Sequence, residues 1–184
     1  MTTFAYVFWH RPEPSQVEDR AYEEALRTFH ASLRAALPVL RGSASYRVRG
    51  LPWLDGADGY EDWYLLPGFA ELAELNDTAV SDVVREAHDR AALASAWGAG
   101  GLYATVHGEP DLEATAVTWI TKPRDVRYLE FFASLPPTPC LLRRQLVLGP
   151  APEFCAFGEL AGGLVAERGA VTSGAGAPAA PPDR

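Results

Sequence analysis

The segment Phe8-Trp9-His10-Arg11-Pro12 is echoed in the second half of the chain by Trp119-Ile120-Thr121-Lys122-Pro123. Each copy ends a run of alternating apolar residues and precedes a helical pattern, which is followed by two strand-like stretches joined at a Gly/Pro turn. A segment that returns in the same surroundings predicts a duplicated structural unit. The echo therefore indicates an architecture, although it does not by itself indicate a reaction.

The first predicted unit, residues 1–108, has the order strand, helix, strand, strand, helix, strand. An apolar stripe at helical spacing marks the first helix, and a stripe of small residues marks the second. The glycines of Gly98-Ala99-Gly100-Gly101 are expected to stop that second helix. This order is that of a ferredoxin-like, or split βαβ, unit. The four strands are predicted at residues 4–9, 44–49, 60–66 and 102–107.

The second predicted unit, residues 109–165, repeats the pattern in a truncated form without its last helix and strand. Residues 166–184 are rich in Gly, Ala, Pro and Ser, which predicts a disordered tail. The predicted fold is therefore α+β, with tandem ferredoxin-like units and antiparallel sheets that carry helices on one face. We expect the two sheets to form a barrel-like structure.

Composition narrows the classes of partner and compartment. The 184 residues carry a net charge of −8 with scattered basic residues, which argues against nucleic acid and anionic membrane surfaces as partners. No apolar run approaches the roughly 20 residues of a membrane-spanning helix. Because Cys140 and Cys155 are the only cysteines and no secretory signal pattern is visible, we expect a cytoplasmic protein.

The stretch Tyr60-Glu61-Asp62-Trp63-Tyr64, with Asn76, Ala79-Val80 and His88-Asp89 after it, resembles an uncharacterised bacterial group within the dimeric α+β-barrel superfamily. The resemblance covers residues 4–160 and implies two sheets that face each other across a cavity. The superfamily includes monooxygenases, haem-degrading enzymes, isomerase-like proteins, chlorite dismutase-like haem proteins and stress-response proteins without known activity. Fold alone selects none of these functions.

No cofactor is predicted, and haem is left open. All four histidines lie in the first unit, which departs from the haem-binding branch of that superfamily. No metal site is predicted either, since no two histidines have an i, i+4 or HxH spacing.

The strongest candidate site lies at one edge of the first predicted sheet. His10 ends the first strand, Glu61 and Asp62 begin the third strand beside it, and Arg49 ends the second strand at the same edge. A histidine, a carboxylate and an arginine at one place can form an oriented general base with an anion-stabilising partner. The alternative is a set of ordinary cross-strand ion pairs.

Further residues follow from strand alternation and helix spacing. Helices are expected to cover Tyr46 and Val48, leaving Arg47 and Arg49 toward the opposite sheet or solvent. His88, at the border of the small-residue stripe, is a second catalytic candidate, and its alternative is a packing role. The residues predicted to bind a ligand are Tyr6, Phe8, Arg47, Glu61, Trp63 and Tyr103.

These observations favour a protein that acts on a small hydrophobic or aromatic molecule. It is predicted to be a cofactor-independent enzyme of the isomerase, cyclase or monooxygenase type. The alternative is a non-catalytic ligand-binding or assembly protein. A homodimer is expected, formed through the exposed sheet or the incomplete second unit.

Overall fold

A computed structural model describes residues 2–13 and 18–172. Within these ranges the chain forms nine β-strands and four α-helices. The strands are β1 (Phe4–Pro12), β2 (Gly42–Val48), β3 (Gly59–Leu66), β4 (Ser95–His107), β5 (Ala116–Ile120), β6 (Leu141–Arg144), β7 (Phe154–Phe157), β8 (Leu164–Glu167) and β9 (Gly169–Ala170). The helices are α1 (Asp19–Ala36), α2 (Glu71–Ala79), α3 (Arg85–Leu93) and α4 (Tyr128–Ser134).

All nine strands belong to one antiparallel sheet with the order β8-β5-β7-β6-β4-β1-β3-β2-β9. The first four strands take the order β4-β1-β3-β2, with the third strand beside the first as predicted, and the next four take the corresponding order β8-β5-β7-β6. β4 pairs with β6, so the sheet is continuous across the predicted boundary at residue 108. The interpretation of the two halves as tandem ferredoxin-like units stays a prediction.

The stretch that contains β8 and β9 nearly closes this sheet into a barrel. β8 pairs with β5 at one edge of the sheet, and β9 pairs with β2 at the other edge. Between them, Arg168 donates its backbone N–H to the carbonyl oxygen of Thr115 at 2.8 Å. The predicted tail is therefore wrong for residues 166–172, because pairing with two distant strands overrides their composition. Residues 173–184 lie outside the described part of the chain.

Closure gives the sheet an interior face and an exterior face, and aromatic side chains fill the interior. Burying one such side chain contributes about 1.5–3 kcal/mol, so this cluster is a major source of stability. The expected aromatic cavity between two sheets is thus replaced by packed rings. The sheet face through which a dimer was expected is likewise covered within one chain, while the homodimer itself stays a prediction. The largest interior rings are those of Trp9, Tyr46, Trp63, Tyr103, Trp119 and Phe157.

The faces of β2 are opposite to those expected from the sequence. Tyr46 and Val48 lie in the barrel interior, whereas Arg47 lies on the exterior face, where it pairs with Glu23 of α1. The reason is that the closed interior is the more apolar of the two environments. The helices instead cover an exterior face that carries polar side chains among its apolar ones.

The predicted second helix is divided into α2 and α3, and the glycines expected to stop it lie inside β4. A Cβ atom on Gly98 would lie 2.3 Å from Cζ of Phe8, and one on Gly100 would lie 2.3 Å from Oη of Tyr6. These glycines therefore make room on β4 for the aromatic rings of β1. None of the helices within the described ranges is both long and apolar enough to cross a membrane.

Candidate functional site

Asp62 lies between two histidines on the exterior face of the sheet. Nε2 of His10 is 3.2 Å from Oδ2 of Asp62, and Nε2 of His30 is 3.4 Å from the same oxygen. All three side chains are buried between α1, which carries His30, and the sheet. The structure thus brings together His10 and Asp62, the two residues on which the sequence-based site depends most.

Strand register and helix spacing explain this arrangement. In the pairing of β1 with β3, His10 lies opposite Tyr60, one step along the ladder from the pair of Trp9 with Glu61. His10 and Asp62 both face outward because successive strand residues alternate between faces. On α1, Tyr22 and His30 lie eight residues apart on the same side of the helix, and that side covers the sheet.

Tyr22 and His30 were not among the predicted site residues. Their signal in the sequence is the four-residue spacing of Tyr22, Leu26 and His30, which places two polar groups on a buried helix face. Tyr22 also fits the apolar stripe that predicts the first helix, so its hydroxyl does not stand out in the sequence. Only the packing of α1 on β3 shows which charged group this helix face meets.

The imidazole ring of His10 is held from four sides. Its Nδ1 atom is 2.6 Å from the hydroxyl oxygen of Tyr22, and its Nε2 atom faces Asp62. The rings of Phe8 and Tyr60 stack against it at centroid distances of 5.4 Å and 5.6 Å. Tyr22, His10 and Asp62 therefore form a fixed series of polar contacts.

Burial and nearby charges determine the pKa values of the Asp62 and Tyr22 side chains. Burial by itself would raise the pKa of Asp62, but the positive charges of the His10 and His30 rings in their protonated form outweigh burial and hold that pKa well below its usual range. The carboxylate also accepts a hydrogen bond from the Tyr64 hydroxyl at 3.2 Å, while its Oδ1 atom has no hydrogen-bond partner within the described residues. Burial raises the pKa of Tyr22, so its hydroxyl keeps its proton at neutral pH.

A cavity of about 430 Å³, called the first cavity below, lies beside this cluster between the sheet, α1 and α3. Aromatic rings provide much of its wall, and the polar atoms of the cluster provide the rest. Apolar walls with a few convergent polar groups are typical of small-molecule sites. Its lining includes Phe8, His10, Tyr22, Asp62, Tyr64 and His88.

The other two catalytic candidates, Arg49 and His88, do not contact Asp62. Arg49 is about three-quarters exposed, and its Nε atom is 3.6 Å from Asp58, so its predicted place in the His10 group is wrong. His88 lines the first cavity from α3, but its Nδ1 atom contacts Oδ1 of Asp89 at 3.0 Å rather than Asp62.

The predicted ligand-binding residues divide between the two faces. Tyr6 and Phe8 lie on the exterior face with His10, and Arg47 pairs with α1 at some remove from the cavity. The remaining three lie in the barrel interior, so the sheet separates them from the first cavity. These are Glu61, Trp63 and Tyr103.

Glu61 forms a second buried cluster inside the barrel. Its Oε1 atom accepts hydrogen bonds from Nη2 of Arg168 at 2.7 Å and from Nε1 of Trp63 at 2.7 Å. Its Oε2 atom accepts one from Nε1 of Trp9 at 2.8 Å. The guanidinium group lies 4.5 Å from the ring centres of Tyr46 and Trp63. This cluster ties the closing stretch of the chain to β3.

Metal and thiol chemistry find little support in the arrangement. Residues 2–13 and 18–172 contain no group of three or more His, Cys, Asp or Glu side chains placed to hold a metal ion. Cys140 and Cys155 are free and buried, and burial raises the pKa of Cys140 to about 12. A thiol in that state is a poor nucleophile.

Comparisons with known proteins assign neither a family nor a function to this chain. No family model matches the sequence. No curated protein matches it significantly. Among solved structures, a crystal structure described as that of a candidate chlorite dismutase is 11% identical in sequence, covers 91% of this chain and 79% of its own, and gives a TM-score of 0.46. A likeness this slight transfers neither fold nor function to the chain.

Proposed function

We propose that the protein binds a small hydrophobic or aromatic molecule in the first cavity and moves a proton to or from it through Tyr22, His10 and Asp62. One observation carries the proposal. The Tyr22 hydroxyl, the two nitrogens of His10 and the Asp62 carboxylate are in series at 2.6 Å and 3.2 Å, and all three side chains line the cavity.

The proton path follows from this order of contacts. When His10 carries its hydrogen on Nε2, its Nδ1 atom accepts a hydrogen bond from the Tyr22 hydroxyl. If the Tyr22 oxygen takes a proton from a bound molecule, its own proton passes to Nδ1, and the imidazolium that results is stabilised by the ionised Asp62. The reverse movement delivers a proton to the molecule. Because burial raises the pKa of Tyr22, this tyrosine depends on His10 to give up its proton.

The series of contacts from Tyr22 to Asp62 favours the isomerase or cyclase type among the predicted reactions. A proton relay suits an isomerase or cyclase, which shifts hydrogens within its substrate, and it uses side chains of this chain alone. A cofactor-independent reaction is therefore part of the proposal. The barrel interior suits haem poorly, because aromatic rings fill it and the buried histidines His10 and His30 lie on the exterior face.

The wider relationship suggested by the sequence belongs to the proposal as well. Each half of the sheet has the strand order expected of a ferredoxin-like unit, which supports a place in the dimeric α+β-barrel superfamily. A homodimer remains part of that proposal.

A non-catalytic ligand-binding protein is the second candidate. The observation that favours it is that protein side chains lie close to both nitrogens of His10, with the Tyr22 hydroxyl 2.6 Å from Nδ1 and Oδ2 of Asp62 3.2 Å from Nε2. A ring held in this way can orient a ligand without exchanging protons with it.

Hydrogen exchange into a small aromatic ketone separates the two candidates. The probe is 4-hydroxyphenylacetone in D₂O, with deuterium at the carbons next to the carbonyl group followed by NMR and binding followed by calorimetry. We expect the wild-type protein to accelerate the exchange above the buffer rate and His10→Gln to abolish that acceleration. His107→Gln is the matched control, because His107 is exposed and contacts only the Thr138 carbonyl oxygen among the bonds described.

The deuterium-exchange experiment gives a different result for each candidate function. Binding of the ketone without exchange by the wild-type protein would favour the non-catalytic candidate. Exchange that His10→Gln leaves unchanged would exclude the proposed relay.

A further inference from the structure

A second cavity of about 370 Å³ adjoins the first one between β1, α1 and α2. The two cavities share four lining side chains, those of Phe8, Phe29, Tyr64 and His88. Among the described residues that line the second cavity, none is Asp, Glu, Lys or Arg. Apart from Tyr6 and Asn76, the rest of this described lining is aliphatic and consists of Leu33, Leu72, Leu75, Ala79 and Val80.

The two adjoining cavities therefore differ in charge. The first contains the ionised Asp62, whose buried Oδ1 atom has no hydrogen-bond partner within the described residues, and buried polar atoms of this kind are normally satisfied. Asp62 lines the first cavity, so its carboxylate is an acceptor beside any ligand bound there. The aliphatic side chains of the second cavity offer mainly apolar contact, which suits a hydrocarbon chain.

We propose that the ligand is an elongated amphipathic molecule, an inference that rests on the function proposed above. Its aromatic ring occupies the first cavity, and a hydroxyl group on that ring donates a hydrogen bond to the Asp62 carboxylate. Its alkyl chain passes the shared side chains and occupies the second cavity. Alkylphenols are the simplest molecules of this class.

His88 determines how the chain passes between the cavities. Its side chain is about one-third exposed, whereas Phe29 and Tyr64 are buried. The ring of Tyr64 is further held by stacking on His30 at 5.1 Å, while the ring of His88 meets Phe29 edge-on at 5.7 Å. A partly exposed ring at the junction of two cavities is well placed to select ligands by length and width.

A homologous series of ligands tests the inference directly. Calorimetry would compare phenol, 4-ethylphenol, 4-butylphenol and 4-hexylphenol on the wild-type protein. We expect the affinity to rise about threefold to fourfold for each methylene group that enters the second cavity. Absence of such a rise, or absence of binding by the whole series, would overturn the inference.

Variants locate the alkyl chain. Ala79→Phe fills the second cavity from the half-buried end of α2, so we expect it to abolish the rise with chain length and to leave phenol binding unchanged. Ala73→Phe is the matched control, because Ala73 lies on the exposed side of the same helix. His88→Trp enlarges the ring at the junction and should lower the affinity for 4-hexylphenol relative to phenol. A rise that survives in Ala79→Phe would place the chain elsewhere and overturn the inference.

The alkylphenol series and the deuterium-exchange experiment test the two proposals separately. Deuterium exchange without a rise in affinity along the series overturns the elongated ligand and leaves the proposed function standing. A rise without exchange supports the elongated ligand and assigns it to a non-catalytic binding protein.

Discussion

Glu61 and Asp62 are consecutive residues of β3, yet their carboxylates serve opposite faces of the sheet. Glu61 binds Arg168 in the barrel interior, whereas Asp62 faces His10 and His30 on the helix-covered exterior. Strand alternation produces this division, and both carboxylates are buried beside a basic side chain. One short segment therefore holds the closing contact of the fold and the centre of the candidate site.

The proposed relay predicts that its members act as one unit. Tyr22→Phe and His10→Gln should each reduce deuterium exchange into 4-hydroxyphenylacetone to a similar extent, and the double variant should be no slower than either, because each change interrupts the same proton path. The exchange rate measured by NMR checks this, with Tyr128→Phe on the exposed helix α4 as the matched control. Independent, additive losses would contradict a shared path.

Acid should weaken the folded state through Asp62. Its pKa is lower in the folded chain than the value of about 3.9 in the unfolded chain, so its stabilisation is present above about pH 4 and is lost as the pH falls further. Without the charges of His10 and His30, burial would raise that pKa instead. We therefore expect His10→Gln/His30→Gln to have a weaker loss of stability between pH 5 and pH 3.

Urea unfolding at several pH values measures this effect. One proton contributes a slope of up to about 1.4 kcal/mol per pH unit, so the difference between the wild type and the double variant is measurable. The control is His88→Gln/His107→Gln, which removes two histidines that do not contact Asp62. An equal slope in all three proteins would show that the two histidines do not govern the Asp62 carboxyl group.

Breaking the pair inside the barrel should be costly. Arg168→Met leaves the Glu61 carboxylate buried without its cationic partner, and we expect a loss of about 3–5 kcal/mol in the free energy of unfolding. Adding Glu61→Gln should restore part of it, since the uncompensated charge is then gone. Chemical denaturation measures both, with Arg90→Met in the exposed Arg90–Glu86 pair as the control. A loss as small as that of the control would show that the pair does not hold the barrel closed.

The glycines of β4 should control the shape of the first cavity. In Gly98→Ala the new methyl group meets the ring of Phe8, which must move, so we expect several-fold weaker binding of 4-ethylphenol with the fold retained. Gly68→Ala is the control, because the nearest atom there belongs to the flexible carboxylate of Glu71. Calorimetry measures the affinity and circular dichroism the fold. Unchanged affinity in Gly98→Ala would remove the Phe8 ring from the binding surface.

Local patterns in the sequence predicted much of the fold. Period-two alternation located β1 and β3, and the order of elements predicted their pairing, which placed His10 beside Asp62. The same reasoning placed Arg49 at this edge, but the strand ends before that residue and its side chain extends into solvent to Asp58. The catalytic role of His10 and Asp62 stays a prediction.

The sequence by itself determined the order of strands and helices as far as β7, apart from the division of the second helix, and which residues of a strand share a face, because both depend on neighbours along the chain. Only the tertiary structure decided which face became the interior, because that depends on the stretch from Leu164 to Ala170 pairing with two distant strands. It also decided that Arg168 meets Glu61 and that α1 brings Tyr22 and His30 to the His10 and Asp62 pair. Such contacts join residues far apart in sequence, and no local pattern specifies them.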